Sequence, residues 1–220
     1  MIQAVVILGA SGHGKVVADT FRAGGVDVIG FLDASKPKGT PWAQSVVLGG
    51  DDALSDVLNA HANCGFFVAL GDNSLRQRVV ERVLRETPQA KLATCVHPQA
   101  VVAAEVLVEP GVAVFAGAVI QPGCTLGQGV LVNTGASLDH DCRMEAYSSL
   151  APGVTTGGNV LVEKGAVVSL GVKIIHGVRI GAHALLGAGA LVLQDVPPCA
   201  VAYGIPAKVV RKRSQDEPYM

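Results

Sequence analysis

A strict six-residue period from Val101 to Val196 constrains this chain more than any other feature of its sequence. The segment divides into sixteen consecutive hexads without an insertion or a deletion. The second residue of each hexad is hydrophobic except at Thr156, the fifth is Gly in ten of the sixteen, and the sixth is always small or β-branched. Neither an amphipathic helix nor a simple strand keeps a period of six. The pattern therefore predicts short strands that alternate with turns in an all-β solenoid.

Apolar side chains at this spacing would form stacked aliphatic columns, and Gly would supply the positive φ that tight corners need. The repeat resembles the left-handed parallel β-helix of hexapeptide-repeat acyltransferases. That resemblance implies that three hexads form one triangular coil, so that residues eighteen apart in this sequence lie on adjacent rungs. The rungs would be about 4.8 Å apart.

The residues before the repeat follow a different pattern, in which predicted strands alternate with predicted helices. We predict strands at 3–8, 26–32, 46–48, 66–70 and 92–95, and helices near 15–22, 53–60 and 74–86. The alternation predicts a small α/β domain of Rossmann-like type. The expected organisation is this domain over 1–95, the β-helix over 96–198 and a capping segment over 199–220. In the last segment we predict a short basic C-terminal helix from Ile205 to Arg213.

The composition agrees with a solenoid core of small aliphatic side chains. Half of the 220 residues are hydrophobic, but only 4% are aromatic. A net charge of −1 gives no indication of nucleic-acid binding. We recognise neither a signal-peptide pattern nor an apolar run of membrane-spanning length, so we expect a cytoplasmic protein without membrane insertion. Cys124 and Cys142 would stack on adjacent rungs. A disulfide between them is geometrically conceivable, but small residues fill that column and the expected compartment is reducing, so we expect both to be buried free thiols.

A Gly-rich turn from Gly9 to Lys15 follows the first predicted strand and precedes the first predicted helix. It matches a P-loop except that Val16 replaces the Ser or Thr that binds Mg²⁺. It also matches a dinucleotide-binding fingerprint except that Ser11 replaces the second Gly. Both patterns share a helix N-terminus that attracts an anion.

We therefore predict a nucleotide-phosphate site at Gly12, His13 and Gly14. Asp33 ends the next predicted strand, where α/β domains often recognise a ribose or a base. The alternative is a turn whose glycines serve only the packing of strand against helix.

These N-terminal motifs resemble the nucleotide-sugar domain of sugar acetyltransferases of the sialic-acid and bacillosamine type. The shared features are the turn Gly9-Ala-Ser-Gly-His13, the segment Phe31–Asp33 and the segment Gly71–Asn73. The resemblance extends over nearly the whole chain, domain order included. It implies that the first domain binds a nucleotide-linked amino sugar and that the β-helix binds acetyl-CoA. It also implies a homotrimer with active sites in the clefts between chains.

His140 lies between two carboxylates, where the Gly-rich fifth position of the hexad is occupied by Asp141. An imidazole can accept a proton at neutral pH, and a neighbouring carboxylate can fix its tautomer. A solvated polar corner is the alternative that the residues alone leave open. Asn133-Thr-Gly135 followed by the acid-flanked His matches the family pattern. The resemblance thus implies that His140 is the general base, Asp141 its orienting partner and Asn133 a sugar contact.

Three further residues are candidates for contacts with acetyl-CoA. Relatives that act on UDP-linked 4-amino sugars have a second His nine residues after the first, where this chain has Ser149. Gly158 and His176 lie one and two coils beyond His140. A Gly at 158 would let a pantetheine arm lie close, or would only form a corner.

Cys142 offers a covalent alternative, in which its thiolate takes the acetyl group first. Its predicted place in a buried column disfavours that route. We expect direct attack by the sugar amine in a ternary complex, with the oxyanion bound by a backbone N–H of the solenoid.

The resemblance implies an acetyl-CoA-dependent N-acetyltransferase that acts on the 4-amino group of a nucleotide-linked 4-amino-4,6-dideoxy sugar. The chain is most similar to the perosamine N-acetyltransferases, which implies GDP-perosamine as acceptor and a role in lipopolysaccharide O-antigen biosynthesis. A UDP-linked amino sugar, or the hydroxyl of sialic acid or another sugar, remains an alternative acceptor. A metal enzyme of the γ-carbonic-anhydrase kind needs three suitably placed His. His140 and His176 are too far apart for that, so we expect no metal. A purely structural solenoid would leave the acid-flanked His unexplained.

Overall fold

The computed structural model describes residues 2–219, which divide into two compact units. The first unit comprises residues up to 71 together with 75–97, and the second comprises 72–74 together with the residues from 98 onward. No helix within the described range is both long and apolar enough to cross a membrane.

The first unit is built around a parallel sheet. Its strands are β1 (Ala4–Leu8), β2 (Asp27–Leu32), β3 (Pro41–Trp42), β4 (Ser45–Gly49) and β5 (Cys64–Val68), in the order β3-β4-β2-β1-β5. Its helices are α1 (Gly12–Ala23), α2 (Leu54–Ala60) and α3 (Asn73–Glu86), and the part of α3 that belongs to this unit begins at Leu75. A last short strand, β6, is Cys95–Val96. The central strand β1 is buried along its whole length, which agrees with its uninterrupted apolar sequence. The predicted alternation of strands and helices is confirmed.

One element of this unit differs from the prediction. The segment between the predicted strands 26–32 and 46–48, where no element was predicted, contains β3, which pairs antiparallel with β4 through a turn at Ala43 and Gln44. Both turn residues have positive φ, 44° and 58°. Because neither is Gly, Asn or Asp, the residues that usually indicate such a turn are missing from the sequence.

The second unit contains sixteen strands of two residues, which begin at every sixth position from Val101 to Leu191. They are β7 (Val101–Val102), β8 (Leu107–Val108), β9 (Ala113–Val114), β10 (Val119–Ile120), β11 (Thr125–Leu126), β12 (Leu131–Val132), β13 (Ser137–Leu138), β14 (Arg143–Met144), β15 (Ser149–Leu150), β16 (Thr155–Thr156), β17 (Leu161–Val162), β18 (Val167–Val168), β19 (Lys173–Ile174), β20 (Arg179–Ile180), β21 (Leu185–Leu186) and β22 (Leu191–Val192). Every predicted hexad therefore contributes one strand, at its first two positions.

Strands three hexads apart pair in parallel and form three sheets along the solenoid. Val119 pairs with Ser137, and Ser137 pairs with Thr155, so partners are eighteen residues apart. The second and sixth hexad positions point inward and form one continuous core of Val, Ile, Leu, Ala and Cys. The predicted eighteen-residue coil is confirmed.

The segment after Pro198 forms a hairpin, so the predicted short C-terminal helix is wrong. β23 (Ala200–Gly204) pairs in parallel with β21, and β24 (Ala207–Lys212) pairs antiparallel with β23. The last coil has an open sheet edge whose backbone N–H and C=O groups need partners, and β23 supplies them. The local pattern around Pro206 contained no information about that edge.

Candidate active site

The acid-flanked histidine lies at the solenoid corner between β13 and β14. Asp141 has a φ of 58°, the left-handed conformation that Gly adopts at most corners. Asp141 Oδ2 lies 2.7 Å from His140 Nδ1. The two side chains are 58% and 59% exposed, so Nε2 of the imidazole is accessible to a substrate.

Charge around this corner favours a protonated imidazole. The hydrogen bond to Asp141 raises the pKa of His140 above its ordinary value, and the negative charge of Asp139 adds to the increase although partial loss of hydration opposes it. An imidazole with this environment can accept a proton and hold the resulting positive charge.

Two glycines on neighbouring rungs make room for the pair. A Cβ on Gly123 would lie 2.3 Å from Asp141 Oδ1, and a Cβ on Gly158 would lie 2.5 Å from His140 Nε2. Real Cβ atoms do not approach so closely, so a side chain at either position would displace one member of the pair. The predicted residues His140, Asp141 and Gly158 are thus brought together.

The other residues predicted for this site have different surroundings. Asn133 Nδ2 donates to the carbonyl of Leu150 at 2.7 Å, so its amide group links β12 to β15 on the next coil. Ser149 is buried, and its Oγ accepts a hydrogen bond from Asn73 Nδ2 at 3.0 Å. This burial does not favour the predicted contact of Ser149 with acetyl-CoA.

His176 is exposed and lies two rungs beyond His140 at the same corner of the solenoid. Ile175 and Leu193 are also exposed at this corner, 39% and 43% respectively. Within residues 2–219, no three His, Cys, Asp or Glu side chains cluster in a geometry that could hold a metal ion.

Cys124 and Cys142 are free and buried, as expected. The hydrogen bond between the two thiols raises the pKa of Cys124, which burial raises further, and lowers the pKa of Cys142, although burial opposes that decrease. The Cys142 thiol donates to the carbonyl of Gly157 at 3.2 Å. A thiol that points into the core in this way is poorly placed to attack a thioester.

In the first unit, the glycines of the Gly-rich turn have distinct roles. Gly9 has a φ of 106°, and a Cβ on Gly14 would lie 2.3 Å from the carbonyl oxygen of Gly9. These two glycines therefore permit the close approach of β1 and α1. Gly12 has open space around it and is exposed, so the packing of the protein does not explain it.

Asp33 directly follows β2 and lies beside this turn. Its Oδ2 accepts a hydrogen bond from the Ala10 N–H at 2.7 Å, and its Oδ1 accepts two from Ser35, at 2.9 Å from N and 2.6 Å from Oγ. Burial raises the pKa of Asp33, but the hydrogen bonds from Ser35 and Ala10 outweigh that effect and lower it. An ionised Asp33 thus links the end of β2 to the Gly-rich turn.

His13, in the first turn of α1, is kept neutral by its surroundings. Burial lowers the pKa of His13 to about 4, and the nearby positive charge of Arg76 contributes to the decrease. Arg76 is itself fully buried and donates to the carbonyl of Leu70 at 3.0 Å. Arg76 could not be identified from the sequence, because an Arg in an amphipathic helix ordinarily belongs to the solvent-facing side.

A second feature missed from the sequence is a cluster of two lysines around Trp42, the only Trp in the chain. The ammonium of Lys15 lies 4.5 Å from the centroid of the indole ring, and that of Lys36 lies 4.9 Å from it. Trp42 Nε1 is buried, with no hydrogen-bond acceptor in the described part of the chain. Two cations that share one ring next to a helix N-terminus create a strong attraction for an anion. Lys15 is the last residue of the Gly-rich turn, and this position was the available signal in the sequence.

Comparison with known proteins gives related results for both units. Residues 4–83 match the family model described as the PglD N-terminal domain. A mutant of perosamine N-acetyltransferase from Caulobacter crescentus, solved in complex with CoA and GDP-perosamine, is 37% identical with a TM-score of 0.90. That match covers 96% of this chain and 99% of the other. The acetyltransferase domain of PglB from Neisseria gonorrhoeae, solved with acetyl coenzyme A, is 31% identical with a TM-score of 0.86, covering 96% of this chain and 100% of the other.

Among curated proteins, the similarity extends over a smaller part of this chain. Serine acetyltransferase from Escherichia coli is 36% identical over 80 residues, which are 33% of this chain and 29% of that protein. The chain thus spans under a third of the length of this relative.

Proposed function

Since this chain belongs to the hexapeptide-repeat nucleotide-sugar acetyltransferases, in which a left-handed β-helix follows a Rossmann-like domain in the sequence, we propose that it acetylates a nucleotide-linked amino sugar. The donor is acetyl-CoA, and the acceptor is the 4-amino group of a 4-amino-4,6-dideoxy sugar, with GDP-perosamine as the specific substrate. The observation that carries this proposal is the exposed His140–Asp141 pair, at 2.7 Å. It occurs in a chain that is similar over 96% of its length to an enzyme solved with CoA and GDP-perosamine.

In the proposed reaction, the amine nitrogen attacks the carbonyl carbon of the thioester directly. His140 Nε2 takes the proton that the attacking nitrogen loses, while Asp141 holds the imidazole through Nδ1 and stabilises its positive charge. The tetrahedral intermediate then collapses as the carbon–sulfur bond breaks. The thiolate of CoA leaves with the proton from His140, so the free base is restored and the products are the amide and CoA.

The negative charge on the carbonyl oxygen needs a hydrogen-bond donor near His140. We assign that role to the backbone N–H of Gly158, which makes no hydrogen bond within the described residues and belongs to the residue next to His140 Nε2. A backbone donor is already oriented when the charge develops, which is why such donors are effective.

The same corner of the solenoid is proposed to hold the pantetheine arm of acetyl-CoA. Beyond Gly158, the corner continues with His176 and with the exposed apolar side chains of Ile175 and Leu193. Apolar contact along the corner would lead the arm toward the thioester position. His176 would contact the pantetheine arm two rungs before it reaches His140.

The nucleotide part of the acceptor is assigned to the first unit. The diphosphate would contact the N-terminus of α1 at Gly12, His13 and Gly14, with the charges of Lys15 and Lys36 opposite it. Asp33 would hold the turn in position and contact the ribose or base. Asn133 is proposed as a contact to the sugar, through the side of its amide that does not bond to Leu150.

The test is release of free thiol from acetyl-CoA with a panel of GDP- and UDP-linked 4-amino-6-deoxy sugars and matching hydroxyl sugars. Turnover with GDP-perosamine alone is the expected result. His140→Asn should reduce kcat by about 10²–10⁴-fold, the usual scale for loss of a general base. His61→Asn, at an exposed site in the first unit, is the matched control and should leave kcat unchanged. Turnover with hydroxyl sugars only would contradict the proposal. Absence of turnover with every sugar of the panel, in a protein that still binds acetyl-CoA, would contradict it too.

A further inference from the structure

Thr156 interrupts an otherwise aliphatic column in the core of the solenoid. It occupies the inward-facing second position of its hexad, between Leu138 and Ile174 on the adjacent rungs, and is 4% exposed. Val would fill nearly the same volume. A buried hydroxyl is less favourable there than a methyl group unless it forms hydrogen bonds. The packing of the core therefore does not account for Thr156.

The hydroxyl of Thr156 is engaged with the corner that bears His140. Its Oγ1 accepts a hydrogen bond from the backbone N–H of Asp139 at 3.2 Å. It also lies 3.6 Å from the sulfur of Cys142, to which it can donate its own proton. Cys142 in turn accepts from the N–H of Val160 at 3.4 Å. The hydroxyl thus uses both its acceptor and its donor capacity.

The same peptide segment is held from the opposite side. The thiol of Cys124 donates to the carbonyl of Asp139 at 3.1 Å. Cys124 lies on the rung before Asp139 and Thr156 on the rung after it. Two polar side chains in the core therefore hold the N–H and the C=O of the residue that directly precedes His140.

We propose that Thr156 is a positioning residue, which fixes the backbone of Asp139 and so determines where His140 Nε2 lies relative to the acceptor amine. This inference rests on the proposed function. Asp139 is exposed, so without the hydroxyl its N–H would bond to water and the segment would move outward. The corner itself would persist, because the His140 carbonyl still accepts from Asn159 N–H and the Asp141 N–H still donates to Pro122. The consequence is a displaced base in an intact solenoid.

The decisive variant is Thr156→Val, which removes the hydroxyl and keeps the shape. We expect kcat to fall by about 10- to 100-fold, the scale associated with a misplaced catalytic group. KM for both substrates should stay within about twofold, because ground-state contacts are unaffected. The melting temperature should be unchanged or higher. Thr156→Ser should recover most of kcat, and Thr155→Val, at the exposed neighbouring position, is the matched control.

Hydrogen exchange of the Asp139 amide tests the same inference without reference to activity. This amide should be protected in the wild-type protein and should exchange faster in Thr156→Val but not in Thr156→Ser. Unchanged exchange in Thr156→Val, or a kcat equal to that of the wild type, would overturn the inference. A loss of kcat that follows a lower melting temperature and is not rescued by Ser would overturn it too. Lack of activity in the wild-type protein would instead contradict the proposed function, and the exchange result would still decide the role of Thr156.

Discussion

Asp141 occupies the hexad position at which most corners of this solenoid have Gly, and it adopts the φ of 58° that Gly would adopt there. An L-residue in this conformation is less stable than Gly by roughly 1 kcal/mol, although Asp tolerates it better than most. The carboxylate is placed over Gly123, beside His140. The chain thus accepts a local destabilisation at the residue that orients the proposed base.

The His140–Asp141 pair predicts how the rate of acetyl transfer depends on pH. Because the rate needs neutral imidazole, kcat/KM should rise with pH through a pKa above 6.5, the ordinary value for His. Asp141→Asn removes the charge that raises the pKa, so this limb should move to lower pH while the rate at its plateau falls at least about tenfold. Glu105→Gln, at the same position of another hexad, is the control. Identical profiles for wild type and Asp141→Asn would exclude the proposed pairing.

Cys142 allows a direct test of the covalent alternative. Cys142→Ser keeps a hydrogen-bonding side chain in the core but provides a much weaker nucleophile. We expect most of kcat to remain, since the amine attacks acetyl-CoA directly. Measurement of kcat and of the melting temperature decides the matter, because near-complete loss of turnover in a folded variant would revive the acetyl-thiol route.

His13 makes a prediction about stability. Its pKa is about 4 in the folded protein and 6.5 ordinarily, so the unfolded chain binds more protons between these values. The contribution of neutral His13 to the free energy of unfolding is therefore fully present above pH 6.5. It is lost as the pH falls toward 4, by up to about 3 kcal/mol. His13→Gln should lose less stability between pH 7 and pH 5 than the wild type does. Denaturant titrations at the two pH values measure this, with His61→Gln, at an exposed position, as the control variant.

At the scale of structural elements, one corner of the solenoid is supported by a repeated acidic residue. Glu at the third hexad position accepts a hydrogen bond from the backbone N–H nineteen residues later. The pairs and their N–O distances are Glu109 with Gln128 at 2.8 Å, Glu145 with Lys164 at 3.2 Å, and Glu163 with Ala182 at 2.7 Å. Each carboxylate therefore ties one coil to the next.

Glu163 should contribute most to stability among these residues. Its side chain is only 11% exposed, and it also forms an ion pair with Arg179. Glu163→Gln should lower the free energy of unfolding by about 1–3 kcal/mol, because a buried charged partner is lost. Glu109→Gln, the exposed member of the set, should change it by under about 0.5 kcal/mol. Equal effects in chemical denaturation would refute this ranking.

The elements that could be predicted from the sequence are those whose contacts repeat at a fixed spacing. All sixteen strands of the solenoid follow from the hexad, and so does the approach of Gly158 to His140, because residues eighteen apart are neighbours. The terminal hairpin depends on an open sheet edge that no local pattern reports. Arg76 and the Trp42 cluster depend on the tertiary fold of the α/β unit, in which distant segments meet without a period. These features were therefore missed.

At the scale of the whole molecule, an exposed base is incomplete as an acyl-transfer site. His140 is 58% exposed in the single chain, whereas transfer from a thioester benefits from exclusion of water. We therefore propose a homotrimer in which the neighbouring chain covers this corner. Light scattering should give three times the chain mass of 22.5 kDa. Full activity in a protein that is monomeric at assay concentration would refute this proposal.

The unbroken hexad has a consequence for how this protein can change in length. One residue inserted between Val101 and Val196 would turn every later core side chain toward solvent, since each strand occupies a fixed pair of hexad positions. Removal of a complete coil beyond His176 would instead rejoin faces that already match. For the coding sequence of this region, the neutral unit of insertion or deletion is therefore the whole coil rather than the codon.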